Sequence, residues 1–300
     1  MRNFTVCVAL ASLLLPLTSS VAQTDVTCHI KPFNTVGTTL ANQGSATSIN
    51  RYGNIVGVDA KGHGFVRFTD GRVQVIPIPV PRTSPSVDIV FMGKRNASGT
   101  TVGWTQFVNP NTGFVDATGF VNRSGTTTLV QPPLIGINRY GTILAQAGGG
   151  ITLLRGTSKQ IIPIPAAFQR DFQLAAISDA GVVVGSYAVA NSAPDPDQSM
   201  HGFVEANGKF QDLAYPDPAE NMFVKDINAS GMIVGQLDGP NRVNSFIYKN
   251  GTFFSPTFVF PNGTSTKLGV FINGVNGFGS IVGSFAVAGK SGPFVGSCSF

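Results

Sequence analysis

Charged residues and helical periodicity are both scarce in this sequence. Asp, Glu, Lys and Arg make up 12% of the 300 residues, and the formal net charge is +5. Lys and Arg form no run, whereas a nucleic-acid-binding surface needs clustered basic residues, so we expect no nucleic-acid partner. Weak attraction to anionic polysaccharide or lipid surfaces stays open. After residue 23 no segment has the 3.6-residue apolar spacing of a helix. Short apolar runs between Gly, Asn, Asp and Pro predict an all-β chain instead.

Long apolar runs are confined to the first residues. Arg2 precedes an apolar stretch over 4–17, and small residues follow at 20–22. This pattern predicts a signal peptide over 1–22. The remaining chain, 23–300, is predicted to be secreted to the extracellular space, the periplasm or the cell surface, with no membrane span.

Cysteine is rare as well. Of the three cysteines, Cys7 belongs to the predicted signal peptide, which leaves Cys28 and Cys298. An even number of cysteines in an exported chain predicts one disulfide.

A nine-residue frame is repeated six times. INRYGNIVG shows its form: an apolar residue, Asn or Ser, two variable residues, Gly, one more residue, an apolar pair and a small residue. The five residues INRYG occur twice, and the related copies indicate a duplicated structural unit rather than a duplicated site. The six copies span 49–57, 95–103, 137–145, 177–185, 227–235 and 275–283.

The residue types in this frame are those of a type I turn. Asn or Ser at the first turn position can accept hydrogen bonds from backbone N–H groups, and Gly at the fourth adopts positive φ without strain. The final small residue permits a bulge or a close approach of neighbouring backbones. The predicted turn residues are Asn50, Gly53, Asn96, Gly99, Asn138, Gly141, Ser178, Gly181, Asn228, Gly231, Asn276 and Gly279.

Each turn is followed by further strand and turn signals at similar spacing. An apolar landmark such as HGFV comes next, then in five copies a second turn such as Asn207-Gly208 and an apolar run containing proline. Proline suits an edge strand, whose outer side needs no N–H donor. Four strands in 40–50 residues match a propeller blade. The sequence therefore predicts one domain, 23–300, folded as a six-bladed β-propeller of four-stranded antiparallel blades.

The last copy has three strands and no fourth strand after it. The segment 24–33 resembles a fourth strand, so we expect it to complete the last blade and remove an exposed edge. Alignment with the first copy places Cys298 on Thr69 and Cys28 on Val73, on either side of a tight turn. We therefore predict a disulfide between Cys28 and Cys298 across antiparallel strands.

The frame resembles the HAF-type extracellular repeats of bacteria, named for a His-Ala-Phe element. The matching triplets here are His63-Gly64-Phe65 and His201-Gly202-Phe203, and the fourth copy fits best. Other copies lack the His. The resemblance implies secretion and a repeat architecture, and it implies no reaction.

The candidate ligand-binding residues lie in variable loops. In this strand order, the connections between second and third strands share one face with those between units, and binding usually evolves on such loops. Trp104 and nearby Phe107 could stack on a sugar or pack against the fold. Asp195 and Asp197 could contribute to a calcium site or be solvated, and His201 could bind a ligand or fill a packing position. The histidines show no metal-ligand spacing, so no metal or cofactor is predicted.

Two functions remain open from the sequence. The first is a secreted, monomeric, non-enzymatic repeat protein that binds an extracellular glycan or a surface protein through the variable-loop face. The second is a glycan-active hydrolase or lyase with carboxylates at the propeller axis. The chain contains neither a G-x-S-x-G nucleophile motif nor a P-loop, and no catalytic residue is predicted.

Overall fold

The computed structural model of the protein describes residues 23–35, 44–79, 89–108, 115–147, 150–189, 199–218, 220–239 and 242–300. The predicted signal peptide lies outside these ranges. Within them there are 25 β-strands and one 3-10 helix, Ala166–Phe168. No helix among the described residues is long and apolar enough to span a bilayer.

The strands follow one another along the chain in groups of four, joined by short turns and by the longer connections between units. Their bounds are β1 Gln23–Pro32; β2 Ser45–Ile49, β3 Ile55–Val58, β4 Gly64–Arg67 and β5 Val73–Val75; β6 Ile89–Arg95, β7 Thr101–Val108, β8 Val115–Arg123 and β9 Thr126–Val130; β10 Leu134–Ile137, β11 Ile143–Ala147, β12 Gly150–Arg155 and β13 Ser158–Pro163; β14 Gln173–Ile177, β15 Val183–Val189, β16 Ser199–Ala206 and β17 Lys209–Leu213; β18 Asn221–Ile227, β19 Ile233–Gly239, β20 Arg242–Lys249 and β21 Thr252–Val259; β22 Ser265–Thr266; β23 Val270–Val275, β24 Ser280–Val287 and β25 Lys290–Ser299.

The fold is all-β and propeller-like. Four sheets are separate, and each has four antiparallel strands in chain order, from β2 to β5, β6 to β9, β10 to β13 and β14 to β17. The fifth sheet has nine strands, in the order β18-β19-β20-β21-β1-β25-β24-β23, with β22 paired to β21. The prediction of six separate four-stranded blades is therefore not confirmed, because the last strands share one mixed sheet.

The shared sheet arises from the two edges of β1. One edge pairs antiparallel with β25, as predicted for a strand that completes the last unit. The other edge pairs in parallel with β21, from Gln23↔Phe253 to His29↔Val259. The backbone groups of β1 are thus paired on both sides, and no edge is exposed between these strands. Val26, Cys28 and Ile30 point inward from β1 into the largest hydrophobic cluster.

The turns of the repeat have the predicted chemistry. All six frame glycines have positive φ, between 79° at Gly279 and 86° at Gly99. In the turn that begins at Asn228, its side-chain Oδ1 accepts hydrogen bonds from the N–H groups of Ser230 at 3.0 Å and Met232 at 2.9 Å. The turn asparagines are buried, so these bonds satisfy side-chain oxygens that water does not reach.

The small residue that ends each frame makes room for an aromatic ring. A Cβ atom added at Gly57 would lie 2.7 Å from Cζ of Phe65, the buried Phe of the HGFV landmark. Gly235 stands in the same relation to Phe246. The third unit has Ala145 in place of Gly, and its landmark residue is the smaller Ile151. In the five units with Gly, an added Cβ atom would lie still nearer, at 1.8–2.3 Å, to a backbone carbonyl oxygen of the preceding strand, so the predicted close approach of neighbouring backbones is present.

The turn asparagines also join neighbouring units. The Asn50 Nδ2 group donates to the backbone carbonyl of Asn96 at 3.2 Å, and Asn276 donates back to the carbonyl of Asn50 at 3.3 Å. Asn138 and Asn228 donate to Ser178 and Asn276 in the same way. The inner strands contact one another in the order β2, β6, β10, β14, β18 and β23, and β23 contacts β2. The inner strands therefore form a closed ring.

The predicted disulfide is present. Cys28 and Cys298 are register partners on β1 and β25, with Cα atoms 4.0 Å apart. The predicted register, in which Cys28 and Cys298 correspond to Val73 and Thr69, is wrong by two residues. In the first unit Val73 pairs with Arg67 and not with Thr69. Since no turn joins β25 to β1, their register is free to differ from that of the first unit.

The first prediction concerns the donor role of the turn asparagines. Asn276→Asp keeps the oxygen that caps the turn but replaces the Nδ2 donor with a carboxylate oxygen facing the Asn50 carbonyl. We expect a loss of about 2–3 kcal/mol in unfolding free energy, since a buried acceptor loses its partner and a charge is buried. Asn276→Ser, the residue that the fourth unit carries at this position, also removes the Nδ2 donor but adds no charge, so it should cost about 1 kcal/mol. Urea denaturation measures both losses, and no loss in Asn276→Ser would contradict the donor role.

The second prediction concerns the disulfide. Peptide mapping by mass spectrometry should find Cys28 and Cys298 linked without reductant, whereas free thiols at both positions would contradict the pairing. Because the loop spans 270 residues, the chain-entropy model gives about 5 kcal/mol for the bond, and practice often gives less. Cys298→Ser should lower the urea midpoint by a corresponding amount, and reductant should then have no further effect.

Candidate binding site at the axis

A β-bulge interrupts every inner strand at the same place in the repeat. The bulged residue lies three positions before the turn Asn or Ser, and in β6 the bulge spans two residues. A bulge leaves its residue out of the ladder and redirects the side chain. Here the redirected residues line a cavity at the axis: Thr47, Gly93, Lys94, Ile135, Ala175, Lys225 and Asn273.

This axial cavity is open to solvent and has a volume of about 520 Å³. Ligand pockets typically have volumes of roughly 300–1,000 Å³. It lies where the inner strands begin, which is the face of the variable loops. A smaller cavity of about 170 Å³ lies at the other end, among the six frame turns.

An ion pair lies between the two cavities. Lys94 lines both of them, and its Nζ donates to Oδ1 of Asp226 at 2.7 Å. The exposed fractions of the side chains are 16% for Lys94 and 4% for Asp226. The Asp226 carboxylate also accepts from the N–H groups of Ile227 at 2.8 Å and Val275 at 3.0 Å. Both carboxylate oxygens of Asp226 are thus engaged in structural hydrogen bonds.

Aromatic side chains form part of the cavity wall. Phe91 of β6 and Trp104 of β7 stack with centroids 3.8 Å apart and planes at 10°. Trp104 is half-buried, and Phe91 remains 38% exposed. The structure thus places Trp104, predicted as a binding residue, at the cavity and adds Phe91 as its partner. Phe91 stands five positions before the turn Asn, and no sequence signal distinguishes it from core residues.

The other predicted binding residues lie elsewhere. Phe107 is half-buried on β7 and does not line the axial cavity. His201, on β16, has its Nδ1 atom 2.9 Å from Oδ1 of Asp212, which also accepts the Tyr187 hydroxyl hydrogen bond at 2.9 Å. Burial and the bond to Asp212 raise the pKa of Tyr187. Asp195 and Asp197 lie outside the described residues, and nothing tests their role.

Polar side chains on the cavity wall differ in the number of hydrogen bonds that they make within the protein. The Asn273 amide donates to Ser45 Oγ and the Ala46 carbonyl, both at 3.0 Å, and accepts from Gln236. The exposed amides of Gln146 and Gln173 have no hydrogen-bond partner within the part of the chain that the structure describes. They are free to bond with sugar hydroxyls or similar groups.

The described acids at the axis do not form the pair of carboxylates that a glycosidase uses. Among the described residues, the one carboxylate that lines the axial cavity is Asp226, which is already bound by Lys94. A hydrolase of the usual kind needs two carboxyl groups across the substrate. Across the same ranges, no group of three His, Cys, Asp or Glu side chains is placed to hold a metal ion.

Comparison with known proteins identifies no family, since no protein-family model and no curated protein matches the chain. Three similar solved structures have TM-scores of 0.41–0.46. A gluconolactonase from Xanthomonas campestris is 10% identical, with 87% of this chain and 89% of that chain covered. The β-propeller domain of the Trilobed protease from Pyrococcus furiosus is 10% identical (84% and 95%), and a mutant of Aleuria aurantia lectin with alpha-methyl-L-fucoside is 9% identical (91% and 95%). At sequence identities of 9–10%, these similarities say nothing about the binding site or the activity of this chain.

The third prediction concerns the axial ion pair. Lys94→Met leaves the buried Asp226 carboxylate without its counter-charge, and we expect a loss of about 3–5 kcal/mol in unfolding free energy. Adding Asp226→Asn removes that charge but keeps one acceptor oxygen for the two backbone N–H groups of Ile227 and Val275, so the double variant should recover part of the loss. Urea denaturation of the single and double variants measures this coupling.

A matched control is the exposed pair of Lys267 and Asp25, whose Nζ and Oδ1 atoms are 2.6 Å apart. Lys267→Met should cost less than about 1 kcal/mol, because solvent screens an exposed pair. If Lys94→Met costs no more than Lys267→Met, the axial pair is not a structural element.

Proposed function

We propose that this protein is an exported carbohydrate-binding protein whose site is the axial cavity. The observation that carries the proposal is the stacked pair of Phe91 and Trp104 on the wall of an open cavity that also presents the free amides of Gln146 and Gln173. An aromatic face suits the apolar C–H face of a sugar ring, and amides suit its hydroxyls. Binding rather than hydrolysis is supported because the cavity's one described carboxylate is committed to Lys94.

The proposal includes the architecture and location of the protein. We take the nine-stranded sheet as two blades joined through β1 and β21, which makes six repeats around the axis. The closed ring of six inner strands supports this. The signal-peptide pattern and the Cys28–Cys298 disulfide support export, and the repeat frame supports membership of the HAF-type extracellular proteins.

The fourth prediction tests sugar binding at Trp104. Since Trp104 is the one tryptophan of the sequence, its fluorescence should change when a glycan found on a glycan array is titrated into the purified protein. Trp104→Ala should lower affinity by about 10-fold or more, a loss of roughly 1.4 kcal/mol. Affinity of this variant is measured by calorimetry, because it has no tryptophan.

Phe107→Ala is the matched control, since Phe107 lies on the same strand but not on the cavity wall. It should bind as the unmodified protein does. Loss of binding in Phe107→Ala but not in Trp104→Ala would move the site away from the axis. Absence of any glycan ligand on the array would contradict the proposed function.

A further inference from the structure

Lys225 is a cation on the wall of the axial cavity, and no carboxylate among the described residues pairs with it. It is the bulged residue of β18, between Val224 and Asp226, and its side chain is half-buried. Its Nζ lies 5.8 Å from the Phe223 ring centroid and has no hydrogen-bond or ion-pair partner among the described residues. Lys94, by contrast, is paired with Asp226. A partly desolvated ammonium group without an acid beside it is unfavourable.

The described surroundings of Lys225 do not compensate its charge. Two lysines, Lys94 and Lys225, and one carboxylate, Asp226, line the cavity among the described residues, which gives a formal charge of +1. The oxygens of Asp226 are taken by Lys94 and by two backbone N–H groups, so they do not serve Lys225. Burial lowers the pKa of Lys225, which agrees with an ammonium group that water solvates poorly. An anionic group placed in the cavity would restore the missing partner.

We propose that Lys225 is the specificity-determining residue that selects a sugar carrying a negative charge. This inference rests on the proposed function, since it places the sugar on the Phe91–Trp104 stack. The anionic group of the sugar, a carboxylate or a sulfate ester, binds the Lys225 ammonium group. The exposed amides of Gln146 and Gln173 bond with neighbouring hydroxyls. A sugar chain without acidic groups lacks this contact and binds more weakly.

The experiment uses the full secreted chain and the fluorescence of Trp104. The probes are tetrasaccharides of galacturonate and of glucuronate, each as the free acid and as the methyl ester, together with a galactan tetrasaccharide with and without its sulfate ester. We expect at least one acidic probe to bind about 10-fold or more tightly than its neutral counterpart. Its affinity should fall as salt is raised, because the contact is between charges. Preference for a uronate or for the sulfated probe identifies the source of the charge.

Two substitutions test the role of Lys225 itself. Lys225→Gln should reduce the affinity for the acidic probe to that for its ester, while the ester binds as before. Lys225→Arg keeps the charge and should keep most of the preference. Lys209→Gln removes the same charge from an exposed residue of β17 outside the cavity and should change nothing. Retained preference in Lys225→Gln would overturn the inference.

The outcomes separate this inference from the proposed function. If acid and ester bind equally, or no acidic probe binds while a neutral glycan still depends on Trp104, the charge selection is wrong and the carbohydrate site stands. If no glycan depends on Trp104, the proposed function fails first. Circular dichroism of Lys225→Gln checks that it is folded. Should that variant not fold, Lys225→Arg and the acid-to-ester comparison in the unmodified protein still decide the question.

Discussion

The hydrogen bond from a turn asparagine to the backbone of the next unit is the interaction on which the rest of the structure depends. One side-chain amide makes both kinds of bond. Its oxygen accepts from backbone N–H groups of its own turn, and its nitrogen donates to a backbone carbonyl of the next turn, as in Asn50 and Asn276. Among the described residues, such bonds are present at four of the six junctions, and they are buried, so they fix the distance between these inner strands with little freedom. Once the inner strands are held in a ring, the bulges face one another and the axial cavity follows.

Closure of the ring adds a second constraint. The strand β1 lies between β21 and β25, so it holds together sheets that would otherwise each end in an open edge. The disulfide makes this arrangement covalent at one register position, and the inward residues of β1 join the hydrophobic cluster of the last strands. The local bonds at the turns and the long-range pairing of β1 therefore support the same closed arrangement of inner strands.

Much of the fold could be predicted from the sequence, because its signals are local. Asn and Gly three residues apart define a turn, proline marks an outer strand, and two cysteines near opposite ends indicate closure. The parallel pairing of β1 with β21 could not be predicted, since hydrophobic alternation identifies a strand but not its neighbour on each edge. The site was harder to predict from the sequence than the pairing of the strands. Lys94 and Asp226 are 132 residues apart, and no sequence pattern shows that Lys94 lies in a bulge whose side chain meets Asp226 at the axis.

The bulge position has a consequence for how such a protein changes over time. Six copies of one scaffold position carry Thr, Gly, Ile, Ala, Lys and Asn, and a bulged residue takes no part in the strand ladder. These copies differ in what else holds them. A Cβ atom at Gly93 would lie 2.4 Å from the Ile135 carbonyl oxygen, and Asn273 is held by three side-chain hydrogen bonds, whereas Lys225 has no hydrogen-bond partner among the described residues. A substitution at Lys225 can therefore change the charge and size of the groups at the axis at little cost in stability, whereas a substitution at Gly93 or Asn273 also disturbs the contacts between units.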